Sequence, residues 1–131
     1  MIMSFSYTVS AYVGRVDTGG HIHMTTRDMA KIGQLFLQHG LWNEQCLISK
    51  QWVNESTVPQ ILTNKGYHYG YLWWRGRIDT HDFFYASGNG GQYITIIPSL
   101  DMVVVSTGHN YNSSLSSQFF ILLKNVISAV Q

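Results

Sequence analysis

The stretch ASGNGGQYITIIPSLDMVVVSTGHN (Ala86–Asn110) decides the reading of this chain. Two β-type runs, QYITII and MVVVSTG, are joined by PSLD, which reads as a short hairpin connection. A hairpin alone does not need the glycines of Gly88-Asn89-Gly90-Gly91-Gln92 before its first strand. Either the backbone is simply bent there, as in a bulged turn, or something approaches it closely. In the second case the main-chain N–H groups would be placed to bind an oxyanion or a substrate carbonyl. A phosphate loop is excluded, because the glycines precede a strand and not a helix.

Working outward, YLWWRGRI and DFFYAS precede this hairpin and read as two further strands, rich in aromatic and β-branched residues. Trp73 and Trp74 are adjacent, so a strand would send them to opposite faces, one into the core and one toward a groove or partner. Tyr67, Tyr69 and Tyr71 alternate with His68 and Gly70 and would form one aromatic face. QILTNKGYHYG reads as loop, and LWNEQCLI as a turn followed by a short extended piece.

Three helices are expected. Thr25 with Asp28 three residues later resembles a capping box, and Gly40 suits the left-handed position past a helix end, so the helix is expected over Thr26–His39. Met29, Ile32, Leu35 and Phe36 share its face. Ser49 can cap a short helix KQWVNEST that Pro59 bounds. The final run SSLSSQFFILLKNVISAV begins with capping serines. It places Leu115, Phe119, Leu122, Leu123, Val126, Ile127 and Val130 on one wide apolar face that should lie on the sheet. The fold class is therefore α+β, an antiparallel sheet with packed helices.

The 131 residues are one domain's worth, 45% hydrophobic and only 11% charged. So few charges hint that part of the surface is covered by something else. A net charge of +1 with no basic run argues against nucleic acid. One cysteine, Cys46, excludes a disulfide framework and an intrachain thiolate zinc site. The six histidines show no metal spacing: His21 and His23 could share a face but lack a third ligand, so neither metal nor cofactor is expected. The opening MIMSFSYTVSAYVGRVD has weak strand character. It lacks the basic and apolar regions of a signal peptide, and no apolar run reaches the ~20 residues of a membrane span.

Nucleophile motifs are missing. There is no G-x-S-x-G and no S-x-x-K, and Ser87-Gly88-Asn89 is only a three-residue match to S-x-N. Asp79, His81 and Asp82 lie near a turn with no fixed nucleophile expected beside them.

Several segments together resemble the β-lactamase-related serine hydrolases, which include class C β-lactamases, penicillin-binding DD-peptidases, esterases and 6-aminohexanoate-dimer hydrolases. The similar parts are GGHIHMTTRDMAKIGQLFLQHGLWNEQCLISKQWVNEST, YGYLWW, ASGNGGQYITIIPSLDMVVVSTG and the final helix, from about Asp17 onward. The resemblance implies a partial β-lactamase/DD-peptidase-like fold. Residues 1–131 would be a single C-terminal segment, with 1–17 poorly defined, 18–66 helical, and 67–131 sheet plus C-terminal helix.

It also implies that the strand opened by Asn89, Gly90, Gly91 and Gln92 forms a wall of the active site and binds substrate. Asn89 stands where many members carry Lys or His, which disfavours β-lactam carboxylates and favours esters or amides. The family's Ser and Lys of S-x-x-K and its catalytic Tyr lie upstream of the matched part, so no catalytic residue is assigned here. The chain alone is expected to be inactive, a fragment or truncated form. Its expected partners are an ester or amide substrate in the full-length context, and a missing N-terminal segment or a second copy of itself. The alternative is a binding or interaction module derived from the same fold. Family members are often periplasmic or secreted, and this sequence leaves the compartment open.

Overall fold

The computed structural model describes residues 6–7, 22–111, 113 and 118–130. His21, Leu115, the serines at 114, 116 and 117, and most of the first 21 residues lie outside them. A two-residue ladder pairs β1 (Ser6–Tyr7) with β2 (Ile22–His23).

Helix α1 (Thr26–Leu37) starts where Thr25 accepts the Asp28 N–H at 3.2 Å. The Asp28 carboxylate takes the Thr25 hydroxyl at 2.7 Å and Lys31 Nζ at 2.7 Å. The helix ends two residues earlier than expected. His39 (φ 54°) takes the left-handed position assigned to Gly40, and Gly40 (φ 88°) follows it. His39 N–H donates to Phe36 O and Gly40 N–H to Leu35 O, the paired bonds of a Schellman end.

The stretch LWNEQC is a hairpin of β3 (Leu41–Trp42) and β4 (Gln45–Cys46), not a turn and one extended piece. Asn43 and Glu44 both have positive φ, as a two-residue hairpin turn demands. Helix α2 (Lys50–Thr57) is capped by Ser49, which accepts the Trp52 N–H at 3.1 Å.

The main sheet is a six-stranded antiparallel meander: β5 (Ile61–Leu62), β6 (His68–Tyr69), β7 (Trp74–Ile78), β8 (His81–Gly88), β9 (Gln92–Ile97) and β10 (Met102–Ser106), paired in that order. The QILTNKGYHYG stretch, expected as loop, thus supplies two short strands. Strand β7 starts only at Trp74, because the chain turns at Leu72 (φ 68°). That turn carries Tyr71 away from Tyr67 and Tyr69: its N–H donates to Ser56 O, and its ring stacks on Trp52 at 5.6 Å. The three tyrosines therefore do not share one face. PSLD is a 3-10 turn (Pro98–Leu100) closed by Asp101 in the left-handed region.

Helices cover both faces of the sheet. On one side Phe84, Ile94, Ile96 and Trp73 pack with Met29, Ile32 and Phe36 of α1. On the other, Phe83, Tyr85, Tyr93 and Ile97 pack with Phe119, Leu123 and Ile127 of α3 (Gln118–Ala129). Period-2 alternation accounts for the split, since odd and even positions of β8 and β9 face opposite helices. Two covered faces explain why Phe83–Ala86 of β8 and most of Tyr93–Ile97 of β9 run apolar without alternation. Gly33 lets α1 lie close on β10, where a Cβ would collide with Val103 Cγ1. The wide apolar face expected of α3 is only partly buried: Leu122 and Val130 are more than half exposed.

Candidate functional site

The glycine run is the β8–β9 hairpin turn. Gly88 pairs with Gln92, and Asn89-Gly90-Gly91 form the loop between them. Gly90 (φ 89°) and Gly91 (φ 95°) occupy a region that side-chain-bearing residues rarely adopt. Close approach is also real, and it comes from the chain itself. A Cβ on Gly90 would stand 2.7 Å from Tyr111 Cε1, and one on Gly108 would stand 2.6 Å from Gly90 O.

Every carbonyl of the loop is held. Asn89 O accepts from Gln92 Nε2 at 3.0 Å, Gly90 O from the Asn110 N–H at 3.0 Å, and Gly91 O from Ser106 Oγ at 3.1 Å. The N–H groups of Asn89 and Gly90, by contrast, donate to no described residue. With the carbonyls fixed, the loop is left with main-chain donors for an incoming acceptor.

Asn89 and Gly90 rim a cavity of about 600 Å³. Its walls are Trp74, Tyr85 and Tyr93 from the sheet and Phe120 from α3. Tyr67 and Lys65 enter from the loop between β5 and β6, and Ser87, Asn110 and Ser113 complete the polar side. Burial, helped by the neighbouring phenols of Tyr93 and Tyr67, pushes the Tyr85 phenol above its ordinary range. It is neutral at physiological pH and can offer or accept a hydrogen bond, but it is no base there.

Of the four residues singled out from sequence, the structure brings Asn89 and Gly90 to this cavity. Gly91 faces a second hollow of about 510 Å³, which it shares with Gly108, Ile121 and Leu122. The Gln92 side chain clamps the loop to Gly108. The expected division of the tryptophans is seen: Trp73 is buried against Phe36 and Phe84, and Trp74 lines the cavity. Sequence reasoning did not single out Lys65, Tyr85, Tyr93 or Phe120. Only the repeated odd-position aromatics of β8 and β9 hinted at an aromatic wall.

At the other end of the sheet, one expectation is corrected. His81 does have a hydroxyl beside it: Ser99 Oγ lies 2.7 Å from its Nδ1. The contact ties the β7–β8 turn to the β9–β10 turn, and Asp82 is directed to Arg77 at 3.6 Å.

These elements define a class: an α+β fold, a six-stranded antiparallel meander with helices on both faces. No family model and no curated protein matches the chain. Among solved structures, one match is to a chain named "Putative 6-aminohexanoate-dimer hydrolase from Bacillus anthracis", with a TM-score of 0.66 and 24% identity. The match covers 83% of this chain and 30% of that one. At that identity the likeness shows the fold alone. The resemblance read from the sequence and this likeness agree in that α+β fold. Among the described residues no helix is long and apolar enough to cross a membrane.

Proposed function

We propose that these 131 residues are the C-terminal segment of a serine hydrolase of β-lactamase-related fold. They supply the substrate wall and main-chain donors, and the nucleophile comes from a segment outside them. The observation that carries this reading is the Asn89–Gly90 turn. Its carbonyls are tied down and its N–H groups are left as donors at the rim of an aromatic cavity. Fixed donors of this kind stabilise the oxyanion of a tetrahedral acyl-transfer intermediate.

The chemistry is acyl transfer. A serine oxygen attacks the ester or amide carbonyl, the leaving group departs with a proton, and water hydrolyses the acyl-enzyme. Asn89 brings no positive charge to the turn itself, so the turn serves the carbonyl of an ester or amide, and any contact with a substrate carboxylate has to come from another residue. The S-x-x-K motif is missing from the 131 residues, and the chain spans 30% of the solved relative's length. Both fit a catalytic Ser and Lys located elsewhere. Domain organisation follows: one segment whose exposed apolar residues meet the rest of the hydrolase, or a second copy when alone. The second reading, a non-catalytic interaction module, is favoured by the exposure of Ile121 and Leu122 beside the second hollow.

Hydrolysis of p-nitrophenyl butyrate tests the choice. The 131-residue chain is expected to add nothing beyond its buffer rate, and the same chain extended through the coding sequence upstream of Met1 to turn over. Enzyme-like turnover by the short chain contradicts the proposal, and an inactive extended chain favours the interaction module.

A further inference from the structure

The cavity has a composition that narrows what it accepts. Its rings meet edge to face: Tyr67 on Trp74 at 6.3 Å and 88°, Tyr85 on Phe120 at 5.4 Å and 76°, Tyr93 on Phe120 at 5.6 Å and 71°. Such rings present flat faces and edges that suit a planar guest better than a branched one. The volume, about 600 Å³, is that of a drug-sized ligand site.

Among the described residues that line the cavity, Lys65 is the one that carries a charge. The ion pairs among the described residues are Lys31 with Asp28 and Arg77 with Asp82. Among the described residues Lys65 has no carboxylate of its own. A cation held over an aromatic cavity without a counter-charge repels cationic guests and attracts anionic ones. Tyrosine rings alone would also attract a cation, so the ammonium decides the sign.

We infer that this cavity takes a flat aromatic acyl or amide group bearing a carboxylate, and that Lys65 selects for that charge. The inference rests on the proposed substrate wall and adds the substrate class. Lys65 is exposed, so the effect is a preference and not an absolute filter.

Three related compounds test it by calorimetric titration of the 131-residue chain: N-benzoylglycine, its neutral amide, and the cationic N-benzoyl-ethylenediamine. The carboxylate is expected to bind roughly three- to fivefold more tightly than the amide, and the cation most weakly. Lys65→Gln should erase the gap between the carboxylate and the amide. Tyr67→Ala, at an exposed position that leaves the core intact, should weaken all three. Equal affinity for the three compounds, or a gap that survives Lys65→Gln, overturns the charge selection and leaves the substrate wall standing. No binding of any compound, with Tyr67→Ala therefore silent, overturns the inference together with the wall on which it rests.

Discussion

The Gln92 side chain pairs with both backbone groups of Gly108 as a residue on a neighbouring strand would. Gln92 Oε1 accepts the Gly108 N–H at 2.8 Å, and Gln92 Nε2 donates to Gly108 O at 3.0 Å. The same Nε2 reaches Asn89 O at 3.0 Å. One amide thus joins the glycine turn to the segment after β10, beyond the reach of the ladder that ends at Ser106–Tyr93. Gln92→Ala removes all three bonds and leaves partly buried backbone groups unpaired. It should cost about 1–3 kcal/mol in urea unfolding. Hydrogen exchange at Gly108 and Asn110 should rise more than at β8. Unchanged exchange there would show that the clamp does not hold the turn.

Thr95, fully buried in β9, carries a hydroxyl with no hydrogen-bond partner among the described residues. Valine has the same branched shape without the desolvation cost. Thr95→Val should therefore raise stability by about 1 kcal/mol in denaturant unfolding. A loss of stability would mean that the hydroxyl is satisfied in solution.

Gly33 packs against Val103 and Ile94. Gly33→Ala gains helix propensity, but its methyl drives α1 off the sheet, a net loss of about 1–3 kcal/mol. Val103→Ala opens space for that methyl, so the double variant should be less unstable than the two single losses summed. Simple additivity in the double-mutant cycle would locate the cost elsewhere.

Asp28 has its carboxyl held below the ordinary carboxylate range by Lys31 and then by the Thr25 hydroxyl. A depressed folded-state value adds stability above the unfolded value of about 3.9, lost as pH falls through the folded value. Thermal melts should thus show Asp28→Asn less stable than the parent at pH 7, with the gap closing below about pH 4. A gap independent of pH would assign the effect to something other than this charge.

The parts legible in the sequence are those fixed by local chemistry. Thr25 and Ser49 announce helix starts because their hydroxyls bond donors three residues on. Strands β8 to β10 carry dense β-branched and aromatic residues, and both of their faces are covered. What stayed hidden is decided by partners distant in sequence. Strands β5 and β6 are two residues each and exist through the pairing of Ile61 with Tyr69 and Leu62 with His68. The Asn43-Glu44 turn uses Glu at a positive φ that usually signals glycine. At α1 the left-handed residue is His39, one before the glycine that drew attention. At the candidate site, Asn89 and Gly90 were legible as an unusual glycine turn. Lys65 and Tyr67 were not, because only the meander brings the β5–β6 loop to the same cavity.

The most direct test of the proposed split between substrate wall and nucleophile is intact-mass analysis after treatment with a fluorophosphonate. It is done on the 131-residue chain alone and on the chain extended through its upstream coding sequence. The short chain should stay unlabelled, and the extended chain should gain one adduct on the serine of an S-x-x-K motif outside these residues. An adduct on any serine within the 131 residues, Ser87 and Ser99 included, would place the nucleophile in this chain and contradict the proposal.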